Sequence, residues 1–312
     1  MIRRYRVALT CLSLAVAFFA MWLWTRNFDV SGDAFASVFK RLTWWPILSL
    51  LALIVGHIAL SSWRWSLIEA ALAGERPRFG AAFTTGAYAQ GLGTFLPSPL
   101  VNVVCRGLAN RLNGKSGLRG AVSGGIDQIA DFAIILLMAV PAAFALVRRD
   151  AQTYYLGVAL MLPVGLLITM LLPVVARSIW LPRILRGKGE LLSRLDQPVL
   201  LKLYGISLMR LTGLTLMNVV IHAAIGAATM PAILVGVPLV ALATSLAMLP
   251  GAFGVSEWSF SAVFAGFSIA QGDIVLFVLA NRILLTGVSL TIAVAVLLAK
   301  ISSRLAPSPQ RV

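Results

Sequence analysis

Three acids, Asp127, Asp131 and Glu257, and three arginines, Arg106, Arg210 and Arg282, stand in stretches that are otherwise apolar. The other eight acids fall in loops or at the ends of apolar runs. Asp127 and Asp131 are four residues apart and so share one face of a helix. Two carboxylates side by side repel, or hold one proton between them, unless a cation intervenes. Such a pair inside a membrane admits proton coupling. Glu257 and Arg282 are natural partners of opposite charge. A guanidinium also binds phosphate through paired hydrogen bonds, which suits Arg106 and Arg282 to a phosphate ester if they line a cavity. The competing role is structural: all of these ions pair internally and fix helix packing.

Other chemistries find little support. His57 and His222 stand in apolar runs, where a hydrogen-bonded structural histidine is the ordinary case. With Cys11 and Cys105 they form no metal-ligand cluster, no CxxC pair and no disulfide framework. Ser256 adjoins Glu257, but no His or Lys base is placed nearby and no GxSxG elbow exists. Walker, dinucleotide-binding and HExxH motifs are absent. The expectation is a non-enzyme with no cofactor and no metal.

The elements that must position these charges are set by composition. Of 312 residues, 59% are hydrophobic and only 12% charged, far from the balance of a soluble domain. The excess of apolar residues is explained if lipid is the solvent. Spanning helices are expected at 7–24, 46–63, 120–147, 154–176, 203–228 and 274–299. The run from Val7 to Trp24 follows Arg3, Arg4 and Arg6 like a signal peptide, but it is long and lacks a small-residue cleavage site. It reads as an uncleaved first helix.

Two further apolar stretches, 80–105 and 232–270, are interrupted in the middle. The first breaks around Pro97 and Pro99, the second around Pro250, Gly251 and Gly254. Proline removes a backbone donor and disfavours helix before it. A broken backbone is tolerated in lipid only where protein or a watery cavity covers it. Each stretch therefore reads as a helix–break–helix hairpin. The expected fold is an all-α integral membrane protein: about six spanning helices plus two Pro/Gly-broken re-entrant hairpins, forming one membrane domain over residues 1–312.

Charge orients this domain. The net charge of +15 comes from 26 Lys and Arg against 11 Asp and Glu. With the N-terminus in the cytoplasm, 19 of the basic residues fall on cytoplasmic segments, Arg64 and Arg106 among them, and 5 outside. That asymmetry favours both termini in the cytoplasm of a bacterial inner-membrane protein, facing anionic lipid headgroups. No basic, aromatic-rich module suggests nucleic acid. Trp22, Trp24, Trp44, Trp45, Trp63, Trp65 and Trp180 lie near span ends, as interfacial anchors do. The topology also exposes a repeat. Residues 1–149 and 150–312 each read helix, helix, hairpin, helix, in opposite orientation. Such inverted repeats, interrupted at matching places, mark transporter folds with a midplane site.

The segment Leu249-Pro250-Gly251-Ala252-Phe253-Gly254-Val255-Ser256-Glu257, followed by Arg282, is similar to a Pro-Gly-Gly-x-Gly-x-x-Glu hairpin and its later Arg. Leu96-Pro97 leading to Arg106, then Asp127-Gln128-Ile129-Ala130-Asp131, is similar to a Leu-Pro hairpin followed by a Glu-Arg-x-x-Asp helix. On these residues the chain resembles the flippase-like family that includes the transmembrane region of lysylphosphatidylglycerol synthases. It departs from that pattern at Asn102, where the first hairpin lacks its acid, and at Asp127-Gln128, Ala252 and Ser256. The resemblance implies movement of a lipid between leaflets: a phospholipid, a polyprenyl-linked glycan or a hopanoid-type lipid. It also implies a stand-alone member, since the chain runs only 12 residues past Lys300, and an association with a lipid-modifying enzyme or glycosyltransferase. Two other functions stay open, a proton-coupled small-solute transporter and a membrane partner or enzyme of lipid-linked glycan assembly. The topology is directly testable. A reporter fused after Lys300 should register as cytoplasmic and one inserted between Arg149 and Asp150 as external; the reverse pattern would overturn the orientation.

Overall fold

The computed structural model describes residues 2–177 and 195–305, with side chains for 12–173 and 195–303. Arg183, Arg186, Lys188, Arg194, Arg311 and Trp180 lie outside the described residues, as do the side chains of Arg3, Arg4, Arg6, Cys11, Arg177 and Arg304. Among the described residues the chain is helical, without strands. The helices are α1 (Ile2–Asn27), α2 (Gly32–Arg41), α3 (Trp44–Ala73), α4 (Phe79–Gly93), α5 (Ser98–Leu112), α6 (Gly117–Arg148), α7 (Ala151–Arg177), α8 (Gln197–Ile225), α9 (Met230–Ala247), α10 (Val255–Gly266) and α11 (Gln271–Leu305). Local chemistry fixes their ends. Ser116 and Asp196 cap α6 and α8 by accepting a hydrogen bond from a first-turn N–H. Gly74 and Gly226 close α3 and α8 in the left-handed conformation. Arg41 of α2 then donates to the Ile225 carbonyl at 2.7 Å, satisfying one of the free carbonyls at that end.

Six helices among the described residues are long and apolar enough to cross a membrane, which makes this a multi-pass membrane protein. Five match the expected spans. The sixth is α9, the first arm of the second hairpin. Helix α3 runs ten residues beyond the predicted end at 63, because the chain continues in helix through Arg64 and Glu69. The two arms of the first hairpin are 15 residues each, about 22 Å at the α-helical rise, shorter than the roughly 30 Å hydrocarbon core. Lys115 and Glu75, joined at 2.6 Å, tie the loop before α4 to the loop after α5, so the two ends of that hairpin lie together. The hydrogen bond from Lys115 holds the Glu75 carboxyl below its ordinary range.

The apolar core is shared chiefly by α3, α8, α9, α10 and α11, around Phe264, Phe277, Ile233 and Ile221. The rings of Phe260, Phe264 and Phe277 pack on one another at tilted or edge-on angles. Helix α1 joins this core through Trp24, which is fully buried and donates to Ser261 Oγ at 2.9 Å. Trp65 is also buried and donates to Ser123. Neither is the interfacial anchor that its place near a span end suggests, because each indole N–H has a partner inside the protein. Trp22, Trp44, Trp45 and Trp63 are exposed. Helix α7 is the peripheral one, with almost no buried side chain along its apolar window.

Both hairpins break at a Leu-Pro pair. In the first, the chain is out of helix between Gly93 and Ser98, with Pro97 in an extended conformation, and Pro99 sits in the first turn of α5, where its missing N–H costs nothing. In the second, Met248, Gly251, Ala252 and Gly254 all have positive φ. The two tips touch: a Cβ built on Gly251 would come within 2.5 Å of the Thr94 carbonyl oxygen. Gly251 is therefore required both for its conformation and for the approach of the other tip. Ala252 holds a left-handed conformation, at φ 51°, that costs a non-glycine residue roughly 1–2 kcal/mol. Ala252→Gly should accordingly raise thermal stability in detergent by about 1 kcal/mol, and Gly251→Val should lower it by roughly 2–3 kcal/mol. Unchanged melting for both would refute the tip contact.

Candidate functional site

Helices α5 and α6 approach closely because α6 presents glycine to α5. A Cβ at Gly120 would lie 2.5 Å from the Arg106 carbonyl oxygen, and one at Gly124 would lie 3.0 Å from Val103 Cα. Small residues at a helix contact allow backbones to meet in lipid, where no hydrophobic force drives them together. That approach brings the Arg106 side chain to Asp127, one turn further along α6.

Asp127 and Asp131 do share one helix face, and Arg64 of α3 stands between them. Its Nε donates to Asp127 Oδ1 at 2.5 Å and its Nη2 to the Asp127 carbonyl at 3.0 Å. Its Nη1 pairs with Asp131 and donates to Ser207 of α8 at 2.6 Å. Asp131 is paired on its other oxygen by Arg210 of α8, whose Nη2 lies 2.9 Å from His57 Nε2. Arg106 donates to Ser61 at 3.0 Å and lies over the Trp65 ring. Three guanidinium groups and two carboxylates thus join α3, α5, α6 and α8. Glu69 continues the network without an ion pair, accepting hydrogen bonds from Ser123 and Asn110.

A second, smaller group closes the other hairpin. Arg282 of α11 donates through Nε to Glu257 Oε1 at 2.8 Å, through Nη1 to the Gly251 carbonyl at 2.8 Å, and through Nη2 to Ser256 Oγ at 3.2 Å. The Phe253 ring lies 4.4 Å from its guanidinium carbon. One side chain therefore holds both sides of the break.

Between the two groups is a cavity in two adjoining compartments of about 590 and 240 Å³. Gln90, Thr94, Ser98 and Pro99 of the first hairpin and Thr244 and Ser245 of α9 line both. Asp131, Arg210 and His57 stand in the wall of the larger compartment, and Arg282, Ser256, Asn281 and Thr286 in that of the smaller. Three of the larger compartment's lining residues, Ile129, Leu246 and Met248, are apolar and 68%, 63% and 51% exposed. The wall thus sets polar and charged groups among apolar side chains, some of them exposed.

The predicted site residues separate accordingly. Asp131 and Arg282 line the cavity, as do Pro97, Pro99 and Gly251 at the breaks. Arg106, Asp127 and Glu257 are buried behind it, each committed to an ion pair. Pro250 is buried, and Gly254 packs on Ala20 of α1. Trp258 lines neither compartment and donates to the Ala20 carbonyl. Arg64 and Arg106, assigned by sequence to basic cytoplasmic segments, are helical and buried. Arg64 is the central residue that the sequence misses. The signal that could have found it is a polar stripe at His57, Ser61 and Arg64, helical in spacing, which continues α3 past its apolar run. Glu69 is likewise buried rather than in a loop. Among the described residues no group of His, Cys, Asp and Glu could hold a metal ion.

Among known families, one has a model that matches the chain through its transmembrane region. The model described as "Lysylphosphatidylglycerol synthase TM region" matches residues 10–293, from within α1 to within α11. No curated protein matches the chain. The ion network predicts its own weak point. Arg64→Leu leaves Asp127 and Asp131 each short of a partner, and removing one member of a buried pair costs about 3–5 kcal/mol. Thermal unfolding of the purified variant should show a loss of that size. Arg64→Lys should recover only part of it, since an ammonium cannot reproduce the fork.

Proposed function

We propose that this chain, which belongs to the lysylphosphatidylglycerol synthase transmembrane-region family, moves lipid headgroups from one leaflet of the membrane to the other. The observation that carries this reading is the two-compartment cavity at the place where both hairpin breaks meet, whose wall combines hydroxyls, amides and arginines with apolar side chains, Ile129, Leu246 and Met248 among them exposed. A headgroup enters the cavity while its acyl chains stay in the bilayer beyond Ile129, Leu246 and Met248. Arg282 is the cation within reach of a phosphate: it is partly exposed in the smaller compartment, whereas Arg106 is closed off behind Asp127.

The two halves act as inverted counterparts, α3, α4–α5 and α6 against α8, α9–α10 and α11. Both halves break at Leu-Pro, and α3 and α8 each send an arginine to Asp131. Arg64 between the two aspartates removes the premise of a proton shared by neighbouring acids. The chain acts without catalysis, in the cytoplasmic membrane with both termini inside. An enzyme that makes or modifies the transported lipid is its functional partner.

The test is leaflet exchange in vesicles reconstituted with the purified protein, read by quenching of fluorescent lipid in the outer leaflet. Protein-dependent exchange is expected. Thr244→Trp, which fills the wall shared by the two compartments without touching an ion pair, should lower the rate at least tenfold with melting temperature retained. Arg282→Gln should lower it to a similar extent. Exchange at the wild-type rate in both variants would sink the reading.

A further inference from the structure

The cavity walls differ from what a cationic headgroup requires. Among the residues lining both compartments the only carboxylate is Asp131. Its two oxygens are already taken, one by Arg64 and one by Arg210. Glu257 is turned away behind Arg282 and is 1% exposed. An ammonium group entering the cavity finds two arginines and no free acid, and like charges at close range in a low-dielectric site repel strongly.

An anion finds the opposite. The Arg282 fork carries five N–H donors; Nε goes to Glu257, one on Nη1 to the Gly251 carbonyl, and Nη2 to Ser256 and, at 2.6 Å, to Glu257 Oε1, which leaves one N–H on Nη1 for a ligand. Thr286, four residues on, shares its helix face and stands in the same compartment. Ser256 places the first turn of α10 there as well, and Ser98 places the first turn of α5 on the wall common to both compartments. Neither helix has a side-chain cap, so both present the free N–H groups and positive dipole end that favour anions. In the larger compartment Arg210 is more than nine-tenths buried and its Nε has no hydrogen-bond partner.

The other polar groups of the lining are uncharged, most of them hydroxyls and amides set among apolar side chains. Ser98, Thr244 and Ser245 lie on the shared wall together with the amide of Gln90. The hydroxyls of Ser98, Ser245 and Thr286 make no hydrogen bond within the described protein. We infer that the cavity selects a lipid whose headgroup joins a phosphate to an uncharged, hydroxylated group, and rejects headgroups that carry a free amine. The phosphate sits at Arg282, Thr286 and the first turn of α10. The hydroxylated group extends past Ser98 and Ser245 into the larger compartment. This inference rests on the translocation reading and names the substrate class for the same cavity. The amine-bearing headgroup in the family's description is thus a poor fit to this chain's walls.

The test compares acyl-labelled probes in the same reconstituted vesicles: phosphatidylinositol, phosphatidylethanolamine, lysylphosphatidylglycerol and a glucosyl diacylglycerol without phosphate. Phosphatidylinositol should exchange at least tenfold faster than either amine-bearing lipid, and faster than the phosphate-free glycolipid. Arg282→Gln should remove the preference for phosphate. Ser245→Asp, which adds a carboxylate to the shared wall and touches no ion pair, should raise exchange of the amine-bearing lipids at least fivefold. Radiolabelled inositol phosphate trapped in the vesicles should stay there; its release through the protein would overturn a lipid as the ligand source. Equal rates for phosphatidylinositol and lysylphosphatidylglycerol would overturn the selectivity and leave translocation standing. No exchange of any probe would overturn both.

Discussion

A guanidinium carried into the interior of a lipid-embedded protein must be met by carboxylates and by further acceptors, since removing a charge from water costs several kcal/mol even after relaxation. Arg64 imposes that demand on four helices. Asp127 and Asp131 meet it from α6, Ser207 from α8, while the second cation on each aspartate comes from α5 or α8. No one of these helices can move far without leaving a buried charge unpaired. The glycines of α6 follow from the same requirement: with side chains at 120 and 124, α5 could not come close enough for Arg106 to reach Asp127.

The cavity is the complement of this rigid set. A backbone that leaves helical geometry inside a membrane exposes N–H and C=O groups, and these must be covered by protein or by water. The two breaks solve the problem partly against each other, with the Gly251 and Thr94 backbones in contact. They solve it partly through Arg282, which holds Gly251 and Glu257 together. What remains uncovered opens on the cavity, and polar side chains line it where the chain turns.

How far this was legible in the sequence depends on whether an interaction is local. The Pro97 and Pro250 breaks are local, and so is the helical spacing of Asp127 and Asp131; both follow from residue type and position. The pairing of Glu257 with Arg282 follows from opposite charge in apolar surroundings, because each has few alternatives. Arg64 is different. Its charge marks the end of an apolar run, and only partners from α6 and α8 make it an interior residue. Trp24 and Trp65 mislead for the same reason: an indole at the end of an apolar run suits an interface, until a distant serine takes its N–H. Ala252 shows a local rule set aside, since a left-handed position that favours glycine carries a methyl group.

The two ion groups use the same chemistry to different effect, and exposure separates them. In the larger group every carboxylate oxygen has its cation and the central guanidinium is wholly enclosed, so the group ties its four helices together. In the smaller group the acid is enclosed but the guanidinium reaches the cavity. A ligand that draws on the Arg282 donors competes with the bond to the Gly251 carbonyl, and that bond closes the second tip. The tip in turn abuts Thr94, which lines both compartments. Any displacement of Gly251 therefore alters the wall common to the compartments, which Arg282 reaches through one hydrogen bond and one backbone contact.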